Sequence, residues 1–163
     1  MSAKVMILMG SGSDWETMRE AAAVLGQLQV PYEAHVASAH RTPSRVRELV
    51  SRGEAEGVQV FIAGAGMAAH LAGFVAAHTQ KPVVGVPLPG GVAEGLDALL
   101  ATVQMPGGVP VACMAVGKAG ARNAAYFAAQ ILALADPALA ARLAEDRQAA
   151  AAKVAAADAA LAT

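Results

Sequence analysis

Five times along this 163-residue chain, a short apolar run ends in a glycine or another small residue and then gives way to a stretch of helical spacing. Few folds accommodate that rhythm other than a parallel sheet with helices on its faces. Val5 to Met9 is continuously apolar and closed by Gly10, so it reads as a strand buried on both sides. Trp15 to Leu28 follows with Met18, Ala22, Leu25 and Leu28 at helical intervals, and Ser13 or Asp14 stands ready as its N-cap. Further strands are expected at Tyr32 to Ala37, Val58 to Ala63, Pro82 to Val86 and Val109 to Val116. Between and after them, helices are expected from Pro43 to about Arg52, Met67 to His78, Val92 to Val103 and Ala121 to Ala135. Asp136-Pro137 then opens a last helix that no strand follows. The expected fold is α/β: a three-layer sandwich with a central parallel sheet of five strands, flavodoxin- or Rossmann-like, plus an extra C-terminal helix. Residues 1–163 form one domain, with 137–163 as the terminal helix.

In an open parallel sheet the carboxyl ends of the strands share one edge, and loops leaving them converge on a crevice. Three loops here carry chemistry. Met9-Gly10-Ser11-Gly12-Ser13-Asp14 places small residues where a strand turns into a helix, leaving backbone N–H groups free for an anion. Ser11 and Ser13 add hydroxyls, and Asp14 is an acceptor suited to a ribose diol; the bland alternative is that these residues only turn the chain and cap the helix. Ser38-Ala39-His40-Arg41-Thr42-Pro43 sets a proton carrier beside a guanidinium fork, with Ser38 and Thr42 adding hydroxyls. Gly64-Ala65-Gly66-Met67-Ala68-Ala69 fits the alanine variant of the dinucleotide fingerprint. It follows the third strand rather than the first, however, and no acidic residue stands about twenty positions on, which argues against a nicotinamide dehydrogenase. His70, one turn into the expected helix, either leans into the crevice or packs, and for an isolated histidine packing is the favoured reading.

Other readings fall away. Gly117-Lys118-Ala119 lacks the remainder of a P-loop. His35, His40, His70 and His78 show no metal-ligand spacing, so no metal is expected, and His35 and His78 read as structural. The single cysteine, Cys113, sits in an apolar run and reads as a core residue of a reducing compartment. A net charge of -1 and 4% aromatics give no footing for nucleic acid. No uncharged stretch reads as a membrane span or signal peptide, so a cytoplasmic location is expected. With 56% apolar and only 15% charged residues, the outside is expected to be covered in part by copies of the chain itself.

Taken in order, Gly-Ser-x-Ser-Asp-Trp, Ser-Ala-His-Arg-Thr-Pro and Gly-Ala-Gly-x-Ala-Ala-His-Leu resemble the N5-carboxyaminoimidazole ribonucleotide mutases, the PurE family of purine biosynthesis. The resemblance continues through Gly85-Val86-Pro87, Val103 to Pro110 and Lys118 to Ala125, and spans essentially residues 4 to 147. It implies transfer of a carboxylate from the exocyclic nitrogen of the ribonucleotide to ring carbon C4, with no metal, ATP or organic cofactor. It also implies a homo-octamer. By matching positions, Ser11, Ser13 and Arg41 would hold the phosphate, Asp14 the ribose, and His40 would be the general acid/base. Ser38 would belong to the same substrate edge. Gly64, Ala65 and Gly66 would embrace the carboxylate or CO2, and His70 and Met105, in the Gln104 to Pro106 loop, would complete the pocket. Two positions depart from the common family form, Met67 for glycine and Ala72 for proline, and Met67 is expected to pack away from the ligand. Leu88 to Gly91 differs as well. The alternatives are a carboxylase of the same family that uses CO2 directly, and a non-catalytic nucleotide-binding module of flavodoxin type.

Overall fold

The computed structural model describes residues 2–161; Met1, Ala162 and Thr163 lie outside the described residues, and with them the final two positions of the expected 137–163 helix. Five parallel strands, β1 (Val5–Met9), β2 (Tyr32–Val36), β3 (Val60–Ala65), β4 (Val83–Pro87) and β5 (Ala112–Cys113), stand in the order β2-β1-β3-β4-β5. All four pairings are parallel. Strand residues alternate between two cores. Val5, Ile7, Met9, Val60, Ile62, Val84 and Val86 face α1 (Trp15–Gln27) and α5 (Lys118–Ala133). Met6, Leu8, Phe61, Ala63 and Val83 face α2 (Pro43–Glu56) and α3 (Leu71–Ala76). Each large side chain fully buried this way stabilises the fold by about 1.5–3 kcal/mol. Because both faces are covered, the central strands need no polar side and read as unbroken apolar runs. α4 (Leu96–Val103) lies over the β4–β5 end of the sheet, and α6 (Pro137–Leu161) crosses α5.

Where the elements depart from expectation, local chemistry accounts for it. β3 begins at Val60, not Val58, because α2 runs on to Glu56 and ends at Gly57, whose φ of 98° is the left-handed stop favoured by glycine. Val58 is then tied back to Gly53 by a 2.8 Å bond. α3 starts at Leu71 rather than Met67: Met67 holds φ 52°, which no right-handed helix accommodates. α4 starts at Leu96 rather than Val92 for the same reason, Ala93 and Glu94 being left-handed at φ 48° and 53°. β5 is two residues, not Val109 to Val116. Gly108 turns at φ 93° and Pro110 has no N–H for the ladder, so only Ala112 and Cys113 pair as strand. α5 begins at Lys118, three residues earlier than expected.

Chain direction reverses between β1 and β3: the path moves outward from β1 to β2, then returns to add β3, β4 and β5 on the other side. Loops leaving β1 and β3 therefore part from one another, and a crevice opens at that point of the carboxyl edge.

Candidate active site

At that switch point lies a cleft of about 600 Å³. Gly10, Ser11, Ser13 and Asp14 line it from the loop after β1, Ser38 to Arg41 from the loop after β2, and Ala65 to Ala68 with Leu71 from the third. Leu88 to Gly91, after β4, close the remaining side.

The first loop is wound into a single 3-10 turn, Gly12–Asp14, by a reciprocal cap. The Ser11 N–H donates to Asp14 Oδ2 at 2.9 Å, and the Ser13 N–H to Ser11 Oγ at 3.4 Å. Asp14 thus turns back on its own loop and does not cap α1 with its side chain as the sequence suggests. The two serine hydroxyls end 3.0 Å apart, an acceptor-hungry pair beside the N-terminus of a helix. Burial pushes the Asp14 carboxyl above its ordinary pKa, and the N–H groups of Ser11 and Gly10 and the charge of Arg41 offset this only in part.

The second loop is a turn held by Ser38 and Thr42. The Thr42 N–H donates to the Ser38 carbonyl at 2.9 Å, the Ser38 N–H to Thr42 Oγ1 at 2.9 Å, and the Arg41 N–H to Ser38 Oγ at 3.2 Å. So pinned, Arg41 reaches across β1's loop and donates from Nη2 to the Gly10 carbonyl at 2.8 Å. That leaves its other N–H groups beside Ser11 and Ser13 for an anion.

His40, which lines the cleft, meets His70, which does not: His40 Nε2 lies 2.8 Å from His70 Nδ1, the rings nearly perpendicular at 81°. Between two neutral rings, one nitrogen of the pair donates and the other accepts, so each ring fixes the tautomer of its neighbour. His70, for which the sequence favours packing, is instead exposed and meets His40, although it does not itself line the cleft.

Not every expected residue joins them. Gly64 is a buried strand residue paired with Met9, and a methyl on it would meet Met18 Sδ at 2.4 Å; it shapes the wall from behind. Met105 does not line this chain's cleft, its sulfur lying 3.2 Å from where a Gly73 methyl would stand on α3. Met67, expected to pack away, instead lines the cleft and is 60% exposed. The sequence reading missed Leu88 to Gly91 as a cleft wall, although their place after a strand end, with two glycines together, was the available signal. His78 is held by the Phe74 carbonyl at 2.7 Å, and His35 by Glu33 and Arg52, both structural. The Cys113 thiol, half-buried, has its pKa raised by burial.

A second cavity of about 740 Å³ runs between α5 and α6, lined by Asn123, Tyr126, Phe127, Gln130 and Arg147 among others. It is larger but its lining holds no histidine, and Tyr126 there donates to Asp146 at 2.7 Å. In the first cleft, by contrast, a histidine stands beside anion donors.

Residues 4–153 match the protein family described as AIR carboxylase. The chain is 53% identical over 148 residues to an N5-carboxyaminoimidazole ribonucleotide mutase of Bacillus subtilis, covering 91% of each protein. To the mutase of the same name from Brucella melitensis it is 54% identical over 149 residues, covering 91% of this chain and 92% of that one. The crystal structure of Treponema denticola PurE superposes with a TM-score of 0.88 at 29% identity, covering 96% of this chain and 97% of that one. The chain belongs to the AIR carboxylase family.

Proposed function

We propose that the protein is an isomerase of de novo purine biosynthesis, converting N5-carboxyaminoimidazole ribonucleotide to 4-carboxy-5-aminoimidazole ribonucleotide. The observation that carries this reading is His40, which lines the same cleft as the Ser11, Ser13 and Arg41 donors and is met by His70 at 2.8 Å. Relatives named for this mutase, more than 50% identical over nine-tenths of the chain, support the substrate.

The phosphate sits against Ser11, Ser13 and Arg41, with Asp14 accepting from the ribose hydroxyls and Ser38 supporting Arg41 from behind. The ring then lies towards His40 and the Ala65-Gly66 segment. Protonated His40 gives its proton to the exocyclic nitrogen as the N–C bond breaks; that bond's electrons stay on nitrogen and CO2 leaves. C4 attacks the CO2, forming the C–C bond, and neutral His40 takes the C4 proton, which restores both aromaticity and the starting charge of the histidine. His70 holds His40 in the orientation both steps require and fixes the tautomer of its neutral form. One acid–base group contributes about 10²–10⁴-fold; holding CO2 beside the ring with water excluded supplies much of the remainder. The small residues of the third loop let backbone approach so small a ligand. No metal or organic cofactor enters this scheme.

The protein works in the cytoplasm as a homo-octamer. Support for assembly comes from α6, whose residues 148–161 are exposed although mostly alanine, and from the open groove between α5 and α6. Met105, outside this chain's own cleft, would reach a substrate from a neighbouring copy.

His40→Asn tests the reading. It keeps the ring-sized polar group but cannot carry the proton, so turnover should fall by about 10²–10⁴-fold while the substrate still binds. Undiminished turnover would remove His40 from the mechanism. Binding without any turnover in the parent protein would favour a nucleotide-binding module.

A further inference from the structure

We propose that Met67 is a shutter over the carboxyl-transfer end of the cleft, its thioether chain keeping released CO2 beside the ring and bulk water away from it. This rests on the mutase reading above and deepens it. Among Gly64 to His70, Met67 alone carries a long apolar side chain. Its φ of 52° lies where a side chain crowds the backbone and where glycine would sit freely. Strain of this kind persists only when the surroundings fix it. Here the Ala69 N–H donates to the Met67 carbonyl at 2.9 Å and the His70 N–H to the Ala68 carbonyl at 2.8 Å, so the same tight turn that strains Met67 also delivers His70 to His40.

The backbone at this position asks only for glycine; what the methionine adds is its side chain. That side chain is 60% exposed in the single chain, on the cleft's rim and not in either core. It reaches the adjoining wall of the cleft, the loop after β4, since a methyl on Gly91 would stand 3.1 Å from Met67 Cγ. Gly91, at φ 67°, presents bare backbone to it. A flexible thioether thus closes the rim between the loops after β3 and β4, which form one side of the cleft. Between N–C cleavage and C–C formation CO2 is held by no covalent bond, and it is small, uncharged and apolar. A polar or open rim would let it go, leaving free aminoimidazole ribonucleotide; a soft apolar wall retains it.

The test is turnover of N5-carboxyaminoimidazole ribonucleotide in isotopically labelled bicarbonate, corrected for its spontaneous decay without protein. Two quantities are read: free aminoimidazole ribonucleotide released per product, and label entering the C4 carboxylate. Met67→Gly and Met67→Ala should raise both by about fivefold or more, with KM moving far less than the leak, because retention and not binding is lost. Met67→Leu, which keeps apolar bulk, should hold the leak near the parent's. A cooperative melt at or above the parent's temperature shows that Met67→Gly is folded. Parent-like retention in Met67→Gly, with normal conversion by the parent, would overturn the shutter alone. No conversion by the parent would overturn the mutase reading and the shutter with it.

Discussion

Asp14 shows how a site residue works against the fold that carries it. Its carboxyl is pushed above the ordinary value of 3.8 by burial, so the folded chain holds that proton more tightly than the unfolded one. More protons bound in the native state means that stability declines as pH rises from 3.8 through the raised folded-state value, and the deficit is complete at neutral pH. Asp14→Asn keeps an oxygen to accept the Ser11 N–H and removes the charge. It should melt no lower than the parent at pH 7 and lose the parent's decline in stability over that acidic window, as a pH series of thermal melts would show. The same change should raise KM by about tenfold or more, a charge-assisted hydrogen bond contributing about 1.5–3 kcal/mol. A lower melting temperature together with an unchanged KM would make Asp14 a structural cap and nothing else. Of the residues read as a site, Ser11, Ser13, Asp14, Ser38, His40, Arg41, Ala65 and Gly66 do share one cleft. They were legible because each follows the end of an apolar run, which parallel topology gathers at one edge. The His40–His70 contact spans thirty residues and was not legible without coordinates.

At the scale of elements, close packing distinguishes glycines that look alike in sequence. A methyl on Gly120 in α5 would stand 1.6 Å from the Ala115 carbonyl oxygen, an obstacle made of backbone. A methyl on Gly64 in β3 would meet the sulfur of Met18, the far end of a flexible chain, at 2.4 Å. Overpacking generally costs about 1–3 kcal/mol. Gly120→Ala should exceed that range or fail to fold, and Gly64→Ala should fall within it, as denaturant melts of the two would reveal; equal losses would contradict this packing account. β1 and β4 were read from sequence to within a residue because burial on both faces leaves an unmistakable apolar run. The starts of α3 and α4 were not, since Met67, Ala93 and Glu94 are ordinary residues in left-handed conformations that composition does not betray. β5 was overread because an apolar run at a sheet edge says nothing of how much of it finds a ladder partner.

For the molecule as a whole, the outstanding feature is α6. Over 25 residues it buries only Leu139, and it is anchored near its start by Arg142, whose Nε donates to the Leu28 carbonyl at 2.8 Å. Its later turns, rich in alanine and poor in charge, offer close approach to another helix. Light scattering should find an octamer for the full chain and smaller species once residues 148–163 are removed; an intact octamer after truncation would place the assembly contacts elsewhere. The central claim is catalytic, and it is tested most directly by offering the protein N5-carboxyaminoimidazole ribonucleotide and, separately, aminoimidazole ribonucleotide with bicarbonate, both without ATP, and following the C4-carboxylated product. Rapid product from the first substrate and little from the second is the predicted result. Preference for the second would move this chain to direct carboxylation by CO2, and no product from either would contradict the account.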